Sequence, residues 1–284
     1  MTRSYGWSTL GLPLGIFYLL AFFVPQAIFL SDSLYESAGR ATLGDGPTLS
    51  NFVEILTDPY YLEAFRISIF VSAAVAIIGL LIALPIAFFI SHGPKRRGFL
   101  VLMIVVAMLF SNAVIRTLGW RVLLSNVGPV NLVLLHFNLV SSPVQLLDNY
   151  TGVLIGVIHA LLPIYVISLI PVAQAVPTNL LRASAGLGAS RWRTFWHVIF
   201  PIIRSGVIGS ALLIFASSIG AFTTPAMLGG GRTLLLPILI RERILLQLNW
   251  PIGAALAALL AALVIGISII VASLGRTSRA ARIG

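Results

Sequence analysis

The chain has 284 residues, 58% of them hydrophobic and 9% charged, with a mean hydropathy of +1.03. A water-soluble domain carries about 25% charged residues, so an ordinary soluble globule is excluded. The net charge of +10 would suggest nucleic acid in a soluble protein, but here the basic residues lie in short loops between apolar runs, the arrangement that orients membrane helices. With no cysteine, disulfides, thiolate zinc sites and cysteine nucleophiles are excluded as well.

Six segments are long and apolar enough to cross about 30 Å of hydrocarbon as helices. They are predicted at residues 8–30, 65–91, 99–119, 152–173, 202–228 and 252–275. Residues 67–91 and 251–275 contain no charged side chain. The first segment follows Arg3 and lacks a convincing small-residue cleavage site, so it reads as a retained anchor rather than a secretory signal. The fold class expected is all-α, a polytopic membrane protein. Its organisation would be an anchor and outer loop over 1–64, a five-span core over 65–275, and a basic tail over 276–284.

Charge sets the expected orientation. If the N-terminus is cytoplasmic, the inside pieces hold Arg3, Lys95, Arg96, Arg97, Arg182, Arg191, Arg193, Arg204, Arg276, Arg279 and Arg282, eleven of the eighteen basic residues. All eight acids then lie outside: Asp32, Glu36, Asp45, Glu54, Asp58, Glu63, Asp148 and Glu242. Arg232, Arg241 and Arg243 run against this trend in the last outer loop, either as tolerated charges or as contacts to a partner or solute. The outer loop 31–64 carries a turn-forming Gly-Asp-Gly-Pro at 44–47, and its tail "DPYYLEAFRISIF" is expected to be a short interfacial helix leading into the second span.

No catalytic residue and no metal site is predicted. The four histidines, His92, His136, His159 and His197, are scattered over different segments, and only His159 lies well inside a span. An ionisable group there is a candidate for a solute pathway, the alternative being a neutral imidazole hydrogen-bonded to a neighbouring helix. No Asp or Glu falls within a span, which argues against a stand-alone ion-coupled transporter. No phosphate-cradling GxxxxGK[ST] loop is present either, so energy for transport would come from another subunit. A membrane enzyme is disfavoured by the lack of any catalytic cluster.

The loop before the fifth segment, "LLRASAGLGASRWRTFWHVIFP" (180–201), is basic and aromatic. Leu180–Ala185 can form a short helix, Gly188 can break it, and Ser190 can cap a second helix from Arg191 that ends at Pro201. Read alone, the stretch suits an amphipathic helix lying on anionic lipid. Over its full length, however, it resembles the cytoplasmic loop of bacterial ABC importer permeases, Glu-Ala-Ala, three residues, Gly, nine residues, Ile, one residue, Leu-Pro. Gly188 takes the glycine, Val198 the isoleucine and Phe200-Pro201 the Leu-Pro, while Arg182, Ala183 and Ser184 replace Glu-Ala-Ala. "RTLGWRVLLSNVGPVN" (116–131) and "FTTPAMLGGGRTLLLPILIRERILLQLNWPIGAALA" (from Phe222) are similar to the spermidine/putrescine-type subfamily, and the similarity runs over roughly 8–275.

The resemblance implies a type I ABC importer permease fold in the bacterial inner membrane, with both termini cytoplasmic. It implies a docking loop at 178–200 for an ATPase, using Arg182, Ala183, Ser184, Gly188, Ala189, Ser190, Arg191, Arg193 and Pro201. The partners implied are a second permease, two ATPase subunits holding ATP and Mg, an extracytoplasmic solute-binding protein and lipid, with no nucleic acid and no cofactor on this chain. The passage lining expected comprises Asn112, Arg116, His159, Ser217, Ser218, Thr223 and Thr224. Relatives often carry an acid just before the Phe of "FxTP", where this chain has Ala221. That absence, with Arg116, Arg121, Arg232, Arg241 and Arg243 near the outer side, sets an anionic or zwitterionic solute (an opine, an amino-acid derivative, a phosphonate) against the polyamine that the subfamily implies.

Overall fold

A computed structural model describes residues 6–39 and 42–280. Arg3, Arg40 and Arg282 lie outside the described residues. The chain divides into two units, one ending at Leu62 and including Leu239–Leu263, the other Glu63–Ile238 with the segment from Val264.

In the first unit, α1 (Gly6–Asp32) is apolar all round, and its aromatic side chains stay exposed (Phe17 63%, Phe22 62%). A helix without a polar face has no preferred side to turn to water, which suits hydrocarbon. A small antiparallel ladder follows, β1 (Ser37–Gly39) pairing with β2 (Thr42–Leu43), and then α2 (Ser50–Thr57). Buried Asn51 fixes this outer segment by donating from Nδ2 to the carbonyls of Ser33 (2.9 Å) and Tyr35 (2.8 Å).

α3 runs unbroken over Pro59–His92, so the stretch expected as a short interfacial helix leading into the second span is helical but is one with that span: Tyr60–Phe70 contains neither Pro nor Gly, and the ladder passes straight through. α4 (Lys95–Leu109), α5 (Ala113–Leu124) and α6 (Pro129–His136) come next. The third predicted span, 99–119, is thus two helices. The break falls at Phe110–Asn112, where Asn112 turns its side chain to accept from the N–H groups of Val114 (2.8 Å) and Ile115 (3.3 Å), a capping arrangement hidden in the sequence by apolar flanks. The apolar helical run long enough to span in this region is Ala113–His136. By length and composition there are six such runs among the described residues, the others being Pro13–Asp32, Pro59–His92, Tyr150–Gln174, Arg191–Ile219 and Trp250–Val271.

The core of the second unit forms around α7 (Tyr150–Gln174). On α3, Val71, Val75, Gly79, Ala83 and Ala87 recur every fourth residue, a smooth ridge that lets α7 approach closely. There Tyr165, 1% exposed, lies against Gly79 and donates its hydroxyl to the Ala76 carbonyl at 3.0 Å. On its other side α7 packs against α10 (Phe200–Ile219), with Gly206 beside Val172 and Ser210 Oγ donating to the Ser168 carbonyl at 3.4 Å. α10 stops at Gly220, and α11 (Thr223–Leu228) is a separate short helix, so the predicted span 202–228 is likewise broken. α12 (Leu236–Arg241) and α13 (Trp250–Ala280) complete the chain.

The two α10 glycines give a paired test. A Cβ at Gly206 would lie 2.6 Å from Val172 Cγ2, whereas one at Gly209 meets nothing within 4 Å. Gly206→Val should lower the thermal unfolding midpoint in detergent, costing about 1–3 kcal/mol by overpacking, while Gly209→Ala should leave it unchanged or slightly raised.

Candidate functional site: the interhelical loop and the α5–α7–α11 cluster

The loop after α7 has the architecture that its sequence suggests. α8 (Thr178–Gly186) begins where Pro177, which has no N–H to donate, ends the α7 ladder. It closes with Gly188 at φ +73°, the left-handed conformation that glycine adopts without Cβ strain. The Gly188 N–H reaches the Ala185 carbonyl (3.0 Å) and the Ala189 N–H reaches the Ser184 carbonyl (3.1 Å), a complete Schellman closure. Ser190 then caps α9 (Arg191–Thr194), its Oγ accepting from the Arg193 N–H at 3.3 Å.

Ser184 locks the two short helices together. Its buried hydroxyl donates to the Leu181 carbonyl (2.9 Å) and accepts from Thr194 Oγ1 (3.2 Å). Around this knot the surface is open: Arg182, Arg191 and Arg193 are exposed, and so are Leu187 (87%) and Trp192 (70%). Trp192, Phe195, Trp196 and Phe200 make a chain of ring contacts, with centroids 5.5 Å apart for Trp192–Trp196 and 5.1 Å for Trp196–Phe200.

Pro201 does not end the helix as expected. Over Phe195–Ile199 the ladder widens, and the Phe200 N–H reaches back five residues to the Phe195 carbonyl. The wide turn makes room for the proline ring and for its missing donor, so the helix passes from α9 into α10 without a stop. Leu187 carries no chemical signature in the sequence; only its exposure sets it apart.

The predicted passage residues fall into two groups. α5, α7 and α11 pack on one another and hold Asn112, Arg116, His159, Thr223 and Thr224, while Ser217 and Ser218 lie at the end of α10. Thr224 and Ser218 are buried, and Thr224 Cγ2 sits over Gly156 where the helices touch. Asn112 is occupied with capping, and Ser217 donates to the Leu213 carbonyl at 2.8 Å. His159 is half-buried, lies edge-on to Trp120 at 5.3 Å, and has a buried Nδ1 with no partner. Thr223 is exposed.

Two arginines have a different task from the one their charge suggests. Arg116 donates to the Met108 carbonyl (3.4 Å) near the end of α4, and Arg121 donates to the Met227 carbonyl (2.7 Å) near the end of α11. Final-turn carbonyls lack helical partners and form the negative pole of a helix, so each guanidinium is held where a cation is favoured. Sequence reading counted Arg121 only as an outer charge and passed over Trp120, Ser68 and Tyr150. Buried Ser68 Oγ accepts the Leu236 N–H (2.9 Å) and Tyr150 Oη accepts the Leu234 N–H (3.2 Å), together fixing the segment before α12.

This six-run helical architecture, with a rigid loop entering the fifth run, is that of an importer permease. Over residues 64–279 the chain matches the family described as binding-protein-dependent transport system inner membrane component, and it belongs to that family. It is thus a permease subunit of an ABC importer and a multi-pass inner-membrane protein. It is 32% identical over 245 residues to the spermidine/putrescine transport system permease protein PotB of Haemophilus influenzae, covering 85% of each chain. To PotB of Escherichia coli (strain K12) it is 28% identical over 253 residues, covering 89% of this chain and 91% of the relative. Its fold matches that of a bacterial alginate ABC transporter in complex with an alginate pentasaccharide-bound periplasmic protein, with a TM-score of 0.77 at 17% identity over 95% of this chain and 94% of that chain.

If the left-handed turn holds the loop rigid, Gly188→Ala should cost about 1 kcal/mol of local stability and speed proteolysis between α8 and α9. Gly186→Ala, where a Cβ meets nothing within 4 Å, should not.

Proposed function

We propose that this chain forms one half of a passage for a polyamine such as spermidine or putrescine, opposite a second permease. Two partner ATPase subunits, holding ATP and Mg, supply the energy, and an extracytoplasmic binding protein delivers the solute. The relatives named for spermidine and putrescine support this reading. The observation that carries it is that two of the five outer arginines, Arg116 and Arg121, are held on the Met108 and Met227 carbonyls, where the negative ends of helices partly offset charge that would repel a polycation. With Ala221 in place of an acid, carboxylates for the ammonium groups come from the second permease, since burying an ammonium without a partner is costly.

In this reading the 178–200 loop docks on the ATPase through exposed Leu187 and Trp192, flanked by Arg182, Arg191 and Arg193. Ala183, Ala189 and the turn at Gly188 shape the docking surface, while Ser184 and Ser190 keep it rigid. ATP-driven closure of the ATPases moves this loop as one piece, and α7 and α10, joined to its two ends, move with it. Pro201 and the wide turn before it let the loop continue into α10 without a flexible joint. Solute would pass by His159, Ser217 and Thr223, with Asn112, Ser218 and Thr224 shaping the wall behind them.

A second reading, an anionic or zwitterionic solute, is favoured by one feature: α5, α7, α10 and α11 contain no Asp or Glu. The deciding measurement is the ATPase rate of the full complex in lipid discs with its binding protein. Spermidine or putrescine should stimulate it; stimulation by an acidic or zwitterionic solute instead would favour the second reading, and indifference to every solute would overturn both. Trp192→Ala should weaken retention of the ATPase about tenfold or more, as truncating an exposed aromatic anchor does, while leaving the fold intact.

A further inference from the structure

At the corner between α3 and α4, His92 is stacked on Phe88, with ring centroids 5.5 Å apart and planes within 18°. Its Nε2 lies 3.0 Å from the carbonyl of Val176, the residue before Pro177 at the entrance to the docking loop. A carbonyl only accepts, so Nε2 carries the proton and donates. Nδ1 is buried without a partner, so the ring's one hydrogen bond at this corner is the one to Val176. Val176 is itself 1% exposed, and its carbonyl falls between the end of α7 and the start of α8. One residue earlier, Ser91 Oγ reaches the Ile170 carbonyl at 3.5 Å.

We infer that His92 is a positioning residue for transport: its bond to the Val176 carbonyl ties α3 to the entrance of the docking loop. The inference deepens the proposed function and rests on that loop docking an ATPase. α7 and α10 are joined to the loop by the chain and must follow it. α3 has no covalent link to the loop, yet its ridge carries the packing of α7, and a helix left behind would open that interface. Tyr165 to Ala76 and Ser91 to Ile170 already join α3 to α7 along their length, but only the His92 bond reaches the residue that leads into the loop, so it is the one that holds α3 in register with the loop entrance.

The test uses the full complex, with His92→Phe and His92→Gln. Phenylalanine keeps a flat ring beside Phe88 and removes the donor; glutamine places an amide N–H at about the reach of Nε2. Both variants should melt close to wild type. Hydrogen exchange of amides in 176–186 should quicken about fivefold in His92→Phe, as losing one net hydrogen bond predicts, and should return near wild type in His92→Gln. In proteoliposomes, His92→Phe should hydrolyse ATP at about the wild-type rate while importing several-fold less solute per ATP, with His92→Gln restoring the ratio. Unchanged exchange, or an unchanged uptake-to-ATP ratio, would overturn the inference, as would an equal loss in both variants. Failure of the parent reading would look different: wild-type vesicles would show no ATP-dependent uptake at all, while the exchange contrast between the variants would still report whether the tie exists.

Discussion

Inside hydrocarbon there is no water to satisfy a peptide group, and each one left unpaired costs several kcal/mol. The polar side chains at the helix breaks of this permease follow from that constraint. At 110–112, Asn112 caps α5 and Arg116 reaches back to Met108. At the end of α11, Arg121 takes the Met227 carbonyl, and before α12, Ser68 and Tyr150 accept the Leu236 and Leu234 N–H groups. At the entrance to the 178–200 loop, His92 meets Val176. These bonds join segments distant in sequence, so the repair of a local break is also what holds the helices in place.

The same constraint separates transport chemistry from scaffolding. A polar residue in a span reads as a candidate for contact with solute, yet Asn112, Arg116 and Arg121 are each committed to the backbone, and Thr224 and Ser218 are enclosed by packing. His159 is not committed in that way: its buried Nδ1, beside Trp120, has no hydrogen-bond partner. The 178–200 loop solves the opposite problem. It is closed by its own turn at Gly188, its own cap at Ser190 and the Ser184–Thr194 bond between its two helices, which leaves Leu187 and Trp192 exposed.

Much of this was legible from composition and spacing. Six apolar runs mark a multi-pass membrane protein, because crossing a bilayer sets run length and composition directly, and the permease class came from the resemblance of the 180–201 loop, of 116–131 and of the stretch from Phe222. The two short helices of the loop, the break at Gly188 and the cap at Ser190 were readable for the same reason: each is a local backbone requirement met by a residue within a few positions. Four local readings went astray, the first being the short helix expected at 58–70, which is the start of α3. The spans 99–119 and 202–228 are broken, because a cap such as Asn112 is hard to see between apolar neighbours, and Pro201 continues its helix because a wide turn before it removes the clash.

The sequence by itself therefore determined class, span count and the shape of the 178–200 loop, properties that depend on residues near one another or on summed hydrophobicity. Tertiary structure alone decided which polar groups are free. That Arg121 belongs to Met227, 106 residues away, or His92 to Val176, 84 residues away, follows from how the helices pack, and helix packing is set by the combined fit of many side chains rather than by any one pattern along the chain.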